Sequence, residues 1–209
     1  MRVLIVKLSS LGDVIHTMPA VMDLRQRMPQ VQIDWVVERS FAPLVQCCTA
    51  VQQVIPCDLR RWRRTPWSAQ TRREWAAFRQ ALQTQAYDRV VDLQGLSKSA
   101  LVSFMARLTP TGRRHAMARR TEGSGYEAPT RWVADVTHEQ PWHSHACQRG
   151  RLLVAQAMGF AGFDWANAAG VFREYAAAFV WRFCAVAASA VVFLRSFCRI
   201  NSSEPVKRI

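Results

Sequence analysis

The 209 residues predict an α/β fold with a parallel sheet flanked by helices, and three observations carry that prediction. Apolar runs of strand length alternate with segments whose apolar residues recur at helical spacing. Half of the residues are hydrophobic, enough to build a core. The first apolar run, Val3-Leu4-Ile5-Val6, empties through Ser9-Ser10-Leu11-Gly12-Asp13 into a helical pattern. Parallel sheets place their ligand crevices at such strand-to-helix turns.

Taken in order, residues 2–6 read as a buried strand and residues 14–28 as a helix, with Ile15, Met18, Val21, Met22 and Leu24 on or near one face. Pro29 ends that helix. Residues 31–37 return to strand composition, 41–47 suit a short helix and 51–55 a third strand. After a basic stretch, residues 68–84 read as a long helix, 89–93 as a buried strand, 96–108 as another helix and 114–118 as a weak last strand.

A formal charge of +13 and a pI near 10.7 imply an anionic partner, whether nucleic acid, a phosphorylated small molecule or a membrane surface. The six cysteines, Cys47, Cys48, Cys57, Cys147, Cys184 and Cys198, show no framework of spaced pairs, and no secretory signal opens the chain. A reducing, cytoplasmic location is therefore expected.

Four clusters carry chemistry. Asp13 sits in the first strand-to-helix turn, where it can act as a base or serve as an N-cap. Arg60, Arg61, Arg63 and Arg64 surround Trp62 just after the third strand, with Trp67 close behind. Guanidiniums offer paired donors that match phosphate oxygens, although a basic run is also a common solvated loop. Gln94 and Lys98 flank Gly95 where the fourth strand enters a helix, a place suited to an anion. The loop from Arg119 and Arg120 to Glu127 is polar and glycine-bearing. His138, His143, His145 and Cys147 fit no common metal-ligand spacing and read as polar residues at a helix entry, so no metal site is expected.

The opening Met1-Arg2-Val3-Leu4-Ile5-Val6-Lys7 with Ser9-Ser10-Leu11-Gly12-Asp13 resembles the start of the ADP-heptose:lipopolysaccharide heptosyltransferases, glycosyltransferase family 9. Ile33-Asp34-Trp35-Val36-Val37-Glu38, Val54-Ile55-Pro56, Arg60-Arg61-Trp62-Arg63, Asp92-Leu93-Gln94-Gly95-Leu96 and Arg120-Thr121-Glu122 follow in the family's order. The resemblance covers residues 1–160 and implies the Rossmann-like, acceptor-binding N-terminal half of a GT-B fold. It further implies an inverting transfer of heptose from ADP-heptose to the Kdo sugar of Kdo2-lipid A, without a cofactor. Asp13 would take the acceptor proton. Ser9, Ser10, Gly12, Arg60, Arg61, Arg63, Arg64, Gln94, Lys98 and Arg120 would bind substrate. The protein would be cytoplasmic and peripheral to the anionic inner-membrane surface, with no nucleic-acid partner.

Residues 161–209 depart from that pattern. From Ala176 to Leu194 the chain is apolar apart from Arg182 and Ser189. That length is near the minimum for a bilayer span, but a central arginine costs about 3 kcal/mol on insertion scales. A membrane anchor, a helix covering the first domain, and a reading-frame error or truncation in place of the family's donor domain are the three readings. The abrupt change in composition and the absence of strand-helix alternation favour the last. On that expectation the donor site is mostly missing and the chain is inactive. The rival classes are a basic nucleic-acid-binding module and a membrane-anchored, non-enzymatic scaffold.

Overall fold

Val3, Leu4, Ile5 and Val6 are fully buried, so the strand they form, β1 (Arg2–Val6), lies inside the sheet with both faces covered. The computed structural model describes residues 1–160, all within one unit of the chain. In sequence order β1 is followed by α1 (Leu11–Arg27), β2 (Gln32–Glu38), α2 (Ala42–Gln46), β3 (Gln53–Cys57), α3 (Leu59–Arg64) and α4 (Ala69–Gln83). Then come β4 (Tyr87–Asp92), α5 (Ser97–Met105), β5 (Leu108–Met117), α6 (Ala128–Val133), β6 (Val136–His138) and α7 (Ala146–Met158). The strands form one parallel sheet in the order β3-β2-β1-β4-β5-β6. The α/β class expected from the alternation is the one observed. The proposed boundary at residue 161 and the apolar tail lie outside the described residues.

Two apolar layers hold the sheet. On one face Leu4, Val6, Val36, Ile55 and Val90 pack against Trp62 of α3, Phe78 and Leu82 of α4, and Val102 of α5. Each such large side chain withdrawn from water contributes roughly 1.5–3 kcal/mol. α1 and α7 pack against each other and are tied by a buried ion pair, Arg151 Nε to Asp23 Oδ2 at 2.5 Å and Nη2 to Oδ1 at 3.0 Å. α1 continues through Pro19, which is buried, although proline removes a helix hydrogen bond.

Three expectations are corrected. The basic stretch is a helix, α3, because Trp62 enters the core and draws one helical turn of arginines with it. The last strand of the sequence reading is longer than residues 114–118: α5 stops at Met105 and β5 starts at Leu108. Pro110 and Gly112 disguise it, at a point where the register with β4 shifts between Tyr87 and Arg89. A Cβ on Gly112 would stand 2.5 Å from the Tyr87 carbonyl oxygen. That strand is also not the last. His138 belongs to a sixth strand, β6, and not to a helix entry.

Candidate functional site

All strands run the same way, so their carboxyl ends share one rim. The order reverses between β1 and β4, which places the crevice of an open parallel sheet there. Both turns flanking that point carry predicted site residues.

The β1–α1 turn is held from below by Gln94. Its Oε1 accepts from the backbone N–H groups of Leu8 and Ser9, each at 3.1 Å. Asp92, at the end of β4, accepts from the N–H groups of Gln94 (2.8 Å) and Gly95 (3.0 Å) and from the Ser99 hydroxyl (2.9 Å). Burial raises the Asp92 pKa, and these hydrogen bonds oppose the rise. Gly95 is required in this turn. Its φ is +76°, and a Cβ would come 2.9 Å from the Gly125 carbonyl oxygen.

Asp13 is the third residue of α1 and not its N-cap. The cap is Ser10, whose N–H donates to Asp13 Oδ2 at 2.9 Å, while Gly12 is half-buried in the same first turn. The other carboxylate oxygen of Asp13 stands 3.8 Å from Lys7 Nζ, and its side chain is 37% exposed. The carboxylate thus holds the N-cap residue from the third helical position and also opens on a pocket lined by Lys7, His16, Met117 and Arg149, among others. Lys7 Nζ donates to the Leu93 carbonyl at 2.9 Å. Burial pulls the Lys7 ammonium below its ordinary range, against Asp13 and Asp92, which favour its charge. Burial also lowers the Arg149 pKa, with Asp13 opposing, and the Arg149 guanidinium is anchored on the carbonyls of Glu122 and Ser144 at 3.1 Å each.

Lys98 links this pocket to the arginine helix. Its Nζ donates to Ser9 Oγ at 2.7 Å. Burial lowers its pKa, Glu38 and Asp13 raise it, and Arg60 lowers it further. Glu38, at the end of β2, is buried, which raises its pKa, while Lys98 and Arg60 act against the rise. Arg60 follows β3 and Asp13 follows β1, so both stand on the carboxyl-end rim, and Lys98 is within electrostatic range of each.

The remaining arginines divide. Arg61 donates to Asp58 at 2.7 Å and to Glu74, so its charge is already matched within the protein. Arg63 and Arg64 are exposed, as is Arg120 beside the Thr121–Ser124 hydrogen-bonded turn. Lys7, Glu38 and Arg149 were missed as site residues. Lys7 had a local signal, a cation at the strand end six residues before Asp13. Arg149 had none, because it reaches the pocket only through the packing of α7 on α1.

The histidines of the weighed metal cluster are dispersed. His138 stacks on His115, His143 pairs with Glu122 at 2.6 Å, and His145 accepts from the Cys147 N–H. Among the described residues no group of three or more histidine, cysteine or acidic side chains is placed to hold a metal ion.

Comparison with known proteins places this geometry. The model of glycosyltransferase family 9 (heptosyltransferase) matches residues 75–190, which includes part of the apolar segment beyond residue 160. Lipopolysaccharide heptosyltransferase 1 of Escherichia coli K12 is 44% identical over 161 residues, 77% of this chain and 48% of that protein. The protein of the same name from Pseudomonas aeruginosa is 42% identical over 161 residues, 77% of this chain and 43% of its own length. The structure of E. coli heptosyltransferase WaaC with ADP-2-deoxy-2-fluoro heptose superposes with a TM-score of 0.69 at 42% identity, covering 77% of this chain and 49% of that one. The chain belongs to glycosyltransferase family 9, the heptosyltransferases. It spans about half the length of the curated relatives it matches.

Proposed function

We propose that residues 1–160 are the acceptor-binding half of an inverting heptosyltransferase that moves heptose from ADP-heptose to the Kdo sugar of Kdo2-lipid A, at the cytoplasmic face of the inner membrane. The observation that carries this reading is Asp13, a partly exposed carboxylate at the switch point of the sheet, in a pocket whose cations are Lys7 and Arg149. The donor fits the ADP-heptose analogue in the similar WaaC structure.

In the proposed step an acceptor hydroxyl attacks the anomeric carbon of the heptose from the face opposite ADP. The new C–O bond forms as the bond to the diphosphate breaks, so the anomeric centre inverts. Asp13 takes the hydroxyl proton, and this matters most late in the step, when the attacking oxygen becomes acidic. Lys7, Lys98, Arg60 and Arg149 lie where the carboxylate and phosphates of the acceptor would enter, and fixed cations stabilise such charge best when water is excluded. Gln94 sets the turn that carries Ser9, Ser10 and Asp13. Arg63, Arg64 and Arg120 remain available to outlying phosphates. Arg61 would act indirectly, by fixing α3.

Calorimetric titration of the chain with Kdo2-lipid A and with lipid A lacking Kdo tests the reading. Binding that requires Kdo is expected. In a form of the protein that turns over ADP-heptose, Asp13→Asn should lower kcat about 10²–10⁴-fold while leaving acceptor affinity nearly unchanged. Equal affinity for both lipids, or full activity of the variant, would overturn it.

A further inference from the structure

Residues 58–83 contain seven arginines but only two carboxylates, Asp58 and Glu74. Both carboxylates bind Arg61. Glu74 also accepts from Trp62 Nε1 at 2.8 Å and from Gln70 at 3.0 Å, and the Thr65 and Thr71 hydroxyls meet at 3.1 Å. The rings of Trp62, Trp75 and Phe78 pack together at 5.5–5.9 Å between centroids. These contacts latch α3 to the start of α4 and make a helical hairpin. Its tip is the link between the two helices, where Trp67 is 86% exposed. Arg63 and Arg64 on one side of the tip, and Arg72 and Arg73 on the other, are exposed and make no ion pair among the described residues.

We propose that this hairpin tip is the surface by which the protein docks on an anionic lipid bilayer, with Trp67 seated at headgroup depth and Arg63, Arg64, Arg72 and Arg73 against lipid phosphates. The inference deepens the reading of a lipid-borne acceptor and rests on it for its biological sense. A lone exposed aromatic is ordinary on a protein surface. Here the exposed ring lies in the link between two helices whose adjoining ends carry four arginines without an ion pair among the described residues, and tryptophan partitions to the membrane-water interface while each basic residue near an anionic surface adds to the attraction. A single-stranded nucleic acid is a poorer fit. It needs successive aromatic platforms, and Trp62 and Trp75 are committed to the ring cluster beneath the latch. The hairpin also carries Arg60, just after β3 on the carboxyl-end rim that Lys98 and Asp13 share.

The test is co-sedimentation of the full 209-residue chain with vesicles of phosphatidylcholine alone and of phosphatidylcholine mixed with phosphatidylglycerol. Binding to the mixed vesicles is expected. Arg72→Glu and Arg73→Glu should each weaken it about fivefold or more, and Trp67→Ser should remove the part that survives high salt. All three positions are exposed, so thermal unfolding should match the parent chain. Unchanged sedimentation of the variants would overturn the proposal. So would tighter binding of a random oligonucleotide than of the mixed vesicles, which would assign the surface to nucleic acid. A water-soluble Kdo saccharide is titrated in parallel and should bind parent and variants alike. Failure of that binding with intact vesicle docking would count against the acceptor reading and leave the docking surface standing.

Discussion

Single side chains at the rim hold the turns that carry the candidate site. Gln94, a proposed substrate ligand, has its Oε1 accepting from two buried N–H groups of the β1–α1 turn. Removing an acceptor from a buried donor costs about 1–3 kcal/mol. Gln94→Ala should therefore lower the unfolding free energy by about 2 kcal/mol or more, measured by urea denaturation. It should also weaken acceptor binding by freeing the turn. Asp13 does likewise, since one carboxylate oxygen accepts from the N-cap N–H of α1 and the other faces Lys7. Asp13 is not the N-cap that the sequence offered as one alternative but the third helical residue, and its role as base is the proposal made above. A capping-box carboxylate is already aimed and held, which is what a base requires.

Between elements, charge pairing decides how the pieces sit. Arg151 and Asp23 join α7 to α1 with both groups almost fully buried. Breaking such a pair leaves an uncompensated buried charge and costs about 3–5 kcal/mol. Arg151→Met should lower stability by that amount in chemical denaturation, and Asp23→Leu in the same chain should restore much of it. The Glu74 latch behaves differently. Hydrogen bonds from Trp62, Gln70 and Arg61 hold its pKa down to about 2, so its contribution is complete above the unfolded value near 4.3 and fades only as pH falls toward 2. The β5–β6 edge is more sensitive. Burial, with help from His138 and Arg89 and against Asp135, pushes His115 down to about 4, and burial lowers His138 as well. The unfolded chain then binds more protons than the folded one between about pH 6.5 and 4, so stability falls as pH drops through that window. Thermal midpoints should follow this fall, and His115→Phe should flatten it.

For the whole molecule, the net charge of +13 finds a cause in where its cations stand. Lys7, Lys98, Arg60 and Arg149 gather at one rim, and four further arginines surround the hairpin tip. Among the described residues no helix is long and apolar enough to cross a membrane. The chain spans about half the length of the relatives it matches, and we propose that residues 1–160 bind the acceptor.

The sequence by itself determined the parallel α/β class, the first strand and helix, the turn that carries Asp13 and the family, because strand-to-helix turns and apolar periodicity are written locally. It left β6 and the α3 helix hidden, since a three-residue edge strand and a helix made of arginines around one buried tryptophan carry no periodic signal. Only tertiary structure brought Arg149 to the pocket across more than a hundred residues of chain, committed Arg61 to Asp58 and Glu74, and left Arg63, Arg64, Arg72 and Arg73 without an ion pair among the described residues. The physical reason is that charge and hydrogen-bond partners are chosen by proximity in space. Composition counts arginines, but packing decides which of them still have charge to offer a ligand.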